Sequence, residues 1–193
     1  MKTKFNISVL GGRGYVGQEI IKIINNHPNF FISDIYSKTS HGKLVDDYTK
    51  SNSLIYKLLD SPDKLDFTDI DIVIMALSNN ESSNYIKSIE EHDPNIIIID
   101  ISADYRFDDR WEYKLPEVAA QTRDKRISNP GCYASAIQFS LFPIKHLISG
   151  KVSCMGISGY SGAGATTNEK NDPNNLKGNI IPYSLSGHIH EKE

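Results

Sequence analysis

Cysteine is scarce in this 193-residue chain, which carries only Cys132 and Cys154. Two thiols are too few for a secreted disulfide framework and match no zinc-ligand spacing, so free thiols in a reducing compartment are expected. Long apolar runs are missing as well, and mean hydropathy is −0.37. The first residues, Met1 to Lys4, run straight into Phe5–Leu10, an apolar stretch far too short for a signal h-region or a spanning helix. No membrane partner and a cytoplasmic location are therefore expected. Cationic excess is the third absence. Against 24 Asp and Glu stand 21 Lys and Arg, giving a formal net charge of −3, with no basic block or basic-aromatic stripe, which argues against a nucleic-acid partner. There is no internal repeat, and the polar stretch 167–179 reads as a loop.

What is present is a βαβ rhythm. Phe5–Leu10 ends in Gly11-Gly12-Arg13-Gly14, and residues 15–24 carry apolar side chains at helical spacing, which predicts strand, tight turn and helix. Strands are predicted at Phe30–Tyr36 and, more weakly, Leu54–Leu58, then within the apolar run Ile70–Leu77 and the four isoleucines 96–99, with a helix over Glu81–Glu91 between them. Such β-branched blocks suit parallel strands buried on both faces. The fold class is α/β, a doubly wound parallel sheet of Rossmann type. Residues 131–148 predict a further helix whose apolar side chains can line one broad face, bent or ended by Pro143. Lys151–Tyr160 predicts a strand opening a second unit. The expected division is 1–129 and 130–193, the second unit being too thin to close by itself.

Four motifs carry chemistry. In Gly11-x-x-Gly14-x-x-Gly17, missing side chains let the backbone and a helix N-terminus approach a pyrophosphate, although a tight turn needs glycine for its dihedrals alone. Arg13, Tyr15 and Val16 share that turn. Ser37 and Lys38 follow the second strand, where NAD-preferring proteins place a carboxylate. A hydroxyl and an ammonium suit a 2′-phosphate, so NADP(H) is the expected cofactor, with Asp34 the contrary carboxylate. Asn129-Pro130-Gly131 places Cys132 at a helix start, where N–H donors favour the nucleophilic thiolate; Cys154, inside a strand pattern, reads as a buried structural cysteine. Ser158 to Gly164 is a small-residue loop suited to close ligand approach, and equally to plain flexibility. His188-Ile189-His190-x-x-Glu193 puts two imidazoles on one face of an extended segment. Without further ligands a metal is not expected, and acid/base work beside a thiolate fits better.

Taken together, Gly-Gly-Arg-Gly-Tyr-Val-Gly, Ile-Asp-Ile-Ser-Ala-Asp-Tyr-Arg at 99–106, Leu-Pro-Glu at 115–117, Asn-Pro-Gly-Cys-Tyr-Ala, Ser-Gly-Tyr-Ser-Gly-Ala-Gly and His-x-His resemble the N-acetyl-γ-glutamyl-phosphate reductases of arginine biosynthesis. The stretch 180–190 resembles the form found in fungi and some bacteria. The resemblance implies an NADP(H)-binding Rossmann domain and a catalytic domain like that of glyceraldehyde-3-phosphate and aspartate-semialdehyde dehydrogenases. It implies Cys132 as nucleophile, His190 as acid/base and His188 assisting. Ser161 and Gly162 would lie near the nicotinamide, and Ser102, Arg106, Asn129 and Ser158 near a small-molecule substrate. It further implies a homo-oligomer where the catalytic domain is complete, and a mitochondrial location for a eukaryotic precursor.

Two departures stand out. Ser78-Asn79-Asn80 replaces the family's proline-containing loop, which is expected to loosen it, and family members continue well past His-x-His, so this chain reads as cut short. Asp104 fits a loop cap as well as a functional role. The alternative functions are a related semialdehyde dehydrogenase acting on another acyl phosphate and a cofactor-binding fragment without turnover.

Overall fold

The computed structural model describes residues 3–45, 54–118, 124–182 and 187–193. Strand β1 (Phe5–Leu10) leads through the glycine turn into α1 (Tyr15–Asn26). The chain continues through β2 (Phe30–Ser37), β3 (Lys57–Leu58), β4 (Ile72–Met75), α2 (Ser83–His92) and β5 (Ile97–Asp100). Two short strands, β6 (Glu112–Tyr113) and β7 (Arg126–Ser128), precede α3 (Cys132–Leu141), and a short helix α4 (Pro173–Leu176) follows later. The sheet order is β3-β2-β1-β4-β5-β7-β6, with every neighbouring pair parallel. Chain order reverses beside β1, between the β2 and β4 sides, which is where a doubly wound sheet opens a crevice at the carboxyl ends of its strands.

The apolar blocks work because alternate residues serve opposite faces. Val73 and Met75 of β4 join Leu10, Phe67, Tyr85, Ile89, Ile98 and Trp111 on one side of the sheet. Ile72 and Ile74 join Ile7, Val9 and Ile24 of α1 on the other. This double burial is why β4 and the isoleucines of β5 read as near-continuous hydrophobic runs in the sequence, while β1 admits Asn6 and Ser8.

Residues beyond β7 depart from the sequence expectations. Pro143 does end α3, and residues Phe142–Leu147 tighten into a 3₁₀ helix. The apolar face of α3 is largely uncovered: Ala134 is its one buried residue, while Ile137 and Phe139 are exposed. Lys151–Tyr160 is not a strand. A strand persists only where a neighbour takes up its N–H and C=O groups, and among the described residues this segment pairs with none. Cys154, within it, is accordingly exposed rather than buried. The His-x-His segment is also not extended. His188 Nδ1 accepts a hydrogen bond from the His190 N–H at 3.1 Å, and Ile189–Lys192 forms a 3₁₀ turn.

Candidate active site

The turn after β1 needs its glycines for distinct reasons. Gly11 has φ +85°, and a Cβ there would lie 2.3 Å from the Ala76 carbonyl oxygen at the end of β4. A Cβ on Gly17 would lie 2.5 Å from Gly11 O, so α1 can approach the turn only without one. Gly14 is different. Its φ of −63° suits any residue, and its Cβ would meet nothing nearer than Gly11 O at 3.6 Å. Nothing among the described residues demands glycine there, so the space it leaves fits a ligand. No side chain caps α1 at Gly14, its first turn has no acidic residue, and Tyr15 and Val16 are exposed around it. That combination of open space and unopposed helix N-terminus fits a dinucleotide's pyrophosphate.

At the end of β2, Asp34 forms an ion pair with Lys57, which withdraws the carboxylate that argued against a 2′-phosphate. Ser37 is buried, and its hydroxyl oxygen accepts from the N–H groups of Thr39 and Ser40 while keeping a proton to donate. Lys38 is half-exposed and reaches Glu81 at 2.8 Å.

The loops after β4 and β5 are tied to each other. Asp104 accepts from the N–H groups of Asn80 (2.7 Å) and Ser82 (3.3 Å), and Asn79 accepts from the Ala103 N–H. Asp104 therefore caps the loop that Ser78 was expected to loosen. Beneath it Asp100, wholly buried, accepts from the hydroxyls of Ser82 (2.6 Å) and Ser102 (2.7 Å). Burial pushes the Asp100 carboxyl above the ordinary range, against the lowering effect of those hydroxyls. Ser102 is buried and its hydroxyl engaged within this tie.

Cys132 is the first residue of α3 and is exposed; Gly131 before it has φ −69° and ψ 157°, with no side chain capping the helix. A Cβ on Gly131 would lie 2.3 Å from His190 Nε2 and 2.7 Å from Arg106 Nη1. The missing side chain is thus filled by the imidazole and the guanidinium. On the far side of Cys132, the Tyr133 ring lies 5.7 Å from His188 and 6.1 Å from His190, and the two imidazoles are 4.6 Å apart. Gly156 packs on the same Tyr133 ring, where a Cβ would lie 2.1 Å from it. Gly162 in turn leaves room for the Ser158 hydroxyl. Ser161 lies in the 3₁₀ turn Tyr160–Ala163.

Arg106 is nearly buried, and each of its three nitrogens makes a hydrogen bond. Its Nε donates to Asn129 O (3.0 Å), Nη2 to Ile101 O (3.1 Å) and Nη1 to Glu193 (2.9 Å). Glu193 was not singled out for a role by its sequence; an acid three residues after His190 was the available signal. Its carboxylate also accepts from Tyr113 Oη (2.9 Å) and the Gly131 N–H (2.8 Å). Burial draws the His190 pKa below the ordinary value, aided by His188 and Arg106 and opposed by Glu193.

The reversal of strand order, the glycine turn and the uncapped helix together define a Rossmann-type dinucleotide-binding protein. Residues 6–125 match the semialdehyde dehydrogenase NAD binding domain, and residues 132–193 match the semialdehyde dehydrogenase dimerisation domain. The chain belongs to the semialdehyde dehydrogenase family. It is 40% identical over 191 residues to the N-acetyl-gamma-glutamyl-phosphate reductase of Xanthomonas axonopodis pv. citri, covering 97% of this chain and 60% of that protein. It is 41% identical over 197 residues to the mitochondrial protein arg-6 of Neurospora crassa, covering 97% of this chain and 22% of that one. The chain thus spans less than two thirds of these relatives. Aspartate semialdehyde dehydrogenase II of Vibrio cholerae, solved with ASA, superposes with a TM-score of 0.67 at 20% identity, over 83% of this chain and 48% of that one. Aspartate semialdehyde dehydrogenase of Candida albicans, solved with NADP, gives 0.57 at 18%, over 75% and 47%. Among the described residues no helix is long and apolar enough to cross a membrane.

Proposed function

We propose that this chain holds the cofactor site and nucleophile of an NADPH-dependent N-acetyl-γ-glutamyl-phosphate reductase, which forms N-acetylglutamate semialdehyde and releases phosphate. The observation that carries the proposal is Cys132 at the uncapped start of α3, with the His190 imidazole against the preceding Gly131. The Xanthomonas relative above, matched along nearly the whole of this chain, supports the substrate. Backbone groups from Gly11 to Gly17, including Arg13, Tyr15 and Val16, would hold the pyrophosphate. Ser37 and Lys38 would take the 2′-phosphate, and Ser161 and Gly162 would border the nicotinamide. The chemistry a bound nicotinamide supplies is a hydride.

The Cys132 thiolate adds to the acyl carbon, and phosphate leaves with the electron pair of the C–O bond, forming a thioester. After hydride addition, the hemithioacetal on Cys132 collapses, the C–S bond breaks and its electron pair returns to sulfur as the aldehyde departs. His190 moves the proton at the carbonyl oxygen, with His188 beside it. Asn129 and Ser158 border the substrate. Ser102 and Arg106, with their polar atoms engaged internally, shape the site from below. Residues 1–129 act as the cofactor domain and 130–193 as the catalytic part, which in the complete protein forms a homo-oligomer.

The test is reduction of NADP⁺ with N-acetylglutamate semialdehyde and phosphate, followed at the nicotinamide absorbance, beside Cys132→Ser. A phosphate-dependent signal abolished in the variant is expected. A signal that survives the substitution, or aspartate semialdehyde preferred as substrate, overturns the proposal.

A further inference from the structure

The Glu193 side chain has no solvent exposure, and it gathers donors from three separate parts of the chain. Arg106 comes from the loop after β5, Tyr113 from β6 and the Gly131 N–H from the residue before the nucleophile. Gln138 of α3 braces the arrangement by donating to Tyr113 Oη at 3.0 Å. The carboxylate stands 3.8 Å from His190 Nε2, too far for a hydrogen bond and close enough for its charge to act.

We propose that Glu193 is a positioning residue of the reaction: its buried carboxylate fixes the Gly131 backbone and the Arg106 guanidinium and thereby seats His190 beside Cys132. This rests on the reading of Cys132 and His190 given above. Three features make the seat tight. Arg106 has no other anionic partner among its hydrogen bonds, since its remaining contacts are the carbonyls of Asn129 and Ile101. The void at Gly131 is filled by His190 and Arg106 together, so the guanidinium that Glu193 holds forms part of the same packed space as the imidazole. His190 Nδ1 is buried and makes no hydrogen bond among the described residues, so the ring is held by packing and by the field around Nε2 rather than by a bond of its own.

The charged and titratable groups facing His190 are Glu193 on its own turn, His188 at the start of that turn, Arg106 from the β5 loop and Tyr133 from α3. Among these, Glu193 alone draws the imidazole toward its protonated form; burial, His188 and Arg106 oppose it. Removing the carboxylate charge while keeping its shape must therefore make His190 harder to protonate, a signature that a merely structural role would not give.

The experiment uses Glu193→Gln in the full protein that carries this chain. The His190 titration is followed by NMR of the imidazole, together with kcat, KM for NADPH and thermal unfolding. E193Q is expected to fold, to keep KM for NADPH within twofold, to lower kcat at least tenfold and to move the His190 titration to lower pH. A folded E193Q with unchanged kcat and an unmoved titration overturns the proposal. Should E193Q not fold, Glu193→Asp decides, because it keeps the charge and withdraws it by one methylene. A tenfold loss of kcat at unchanged KM for NADPH supports the assignment, and wild-type kcat with an unmoved titration overturns it. If wild-type protein shows no phosphate-dependent turnover, the proposed reaction fails, while the His190 titration still judges Glu193.

Discussion

Gly131→Ala offers a sharp test of the site because backbone and packing pull in opposite directions. The residue's φ of −69° and ψ of 157° are ordinary for alanine. By itself the change would stabilise the protein by about 0.4–1 kcal/mol through the unfolded chain. The added Cβ, however, would lie 2.3 Å from His190 Nε2 and 2.7 Å from Arg106 Nη1, where ordinary contact begins at 3.4 Å. The imidazole must retreat by roughly 1 Å, a misplacement that costs on the order of a hundredfold in rate. Overpacking of this kind costs about 1–3 kcal/mol, so a net loss of about 1.3 kcal/mol, the middle of these ranges, is expected after the backbone gain. For a chain of this size that lowers Tm by roughly 3–5 °C. Initial rates with saturating substrates and thermal melts measure both quantities. Gly159→Ala is the control, since its φ is −79° and no atom lies within 4 Å of the new methyl; its Tm should match or exceed that of wild type. Wild-type kcat and Tm in Gly131→Ala would refute the placement of His190.

Two further outcomes follow from the same geometry. Gly14→Ala should leave Tm within about 2 °C of wild type yet weaken NADPH binding at least tenfold, about 1.4 kcal/mol by titration calorimetry, whereas Gly17→Ala should lower Tm directly. For Asp100, the folded protein holds the proton to higher pH than the unfolded chain, whose aspartate titrates near 3.8. Its stabilising contribution is therefore complete below about 3.8 and lost as pH rises through the folded value. Asp100→Asn should remove that slope, so the Tm difference between variant and wild type should move in favour of the variant from about pH 4 to pH 7. A difference that stays constant with pH would show that the carboxyl is not perturbed.

The legible part of the fold is the part whose residues meet only their own sheet. β1, α1, β2, β4 and β5 announce themselves because their strands are rich in apolar residues, on both faces in β4 and β5, and the glycine spacing marks the turn. β6 and β7 do not, being two and three residues long with charged side chains; β7 exists because β5 and β6 flank it. Lys151–Tyr160 shows the converse, since a strand pattern with no neighbour to pair with stays unpaired. In the site, Gly131 and Cys132 are readable from the turn and helix start that hold them. Glu193 is not, because its donors lie 87, 80 and 62 residues upstream and no local pattern links them. The His-x-His geometry also turns on one bond, from the His190 N–H to His188 Nδ1, which converts an extended segment into a turn.

Those same separations set an order of events during synthesis. Translation proceeds at about 5–20 residues per second, so the loop bearing Arg106 leaves the ribosome several seconds before Glu193 does. Throughout that interval the guanidinium has carbonyls and water for company, and the backbone ahead of Cys132 lacks its acceptor. The sheet can form early from its own strands, whereas the hydrogen bonds that join the loop after β5, β6 and Gly131 wait for Glu193. On this order of emergence the Cys132 thiol is made, and exposed, before the carboxylate that ties Arg106, Tyr113 and the Gly131 N–H together.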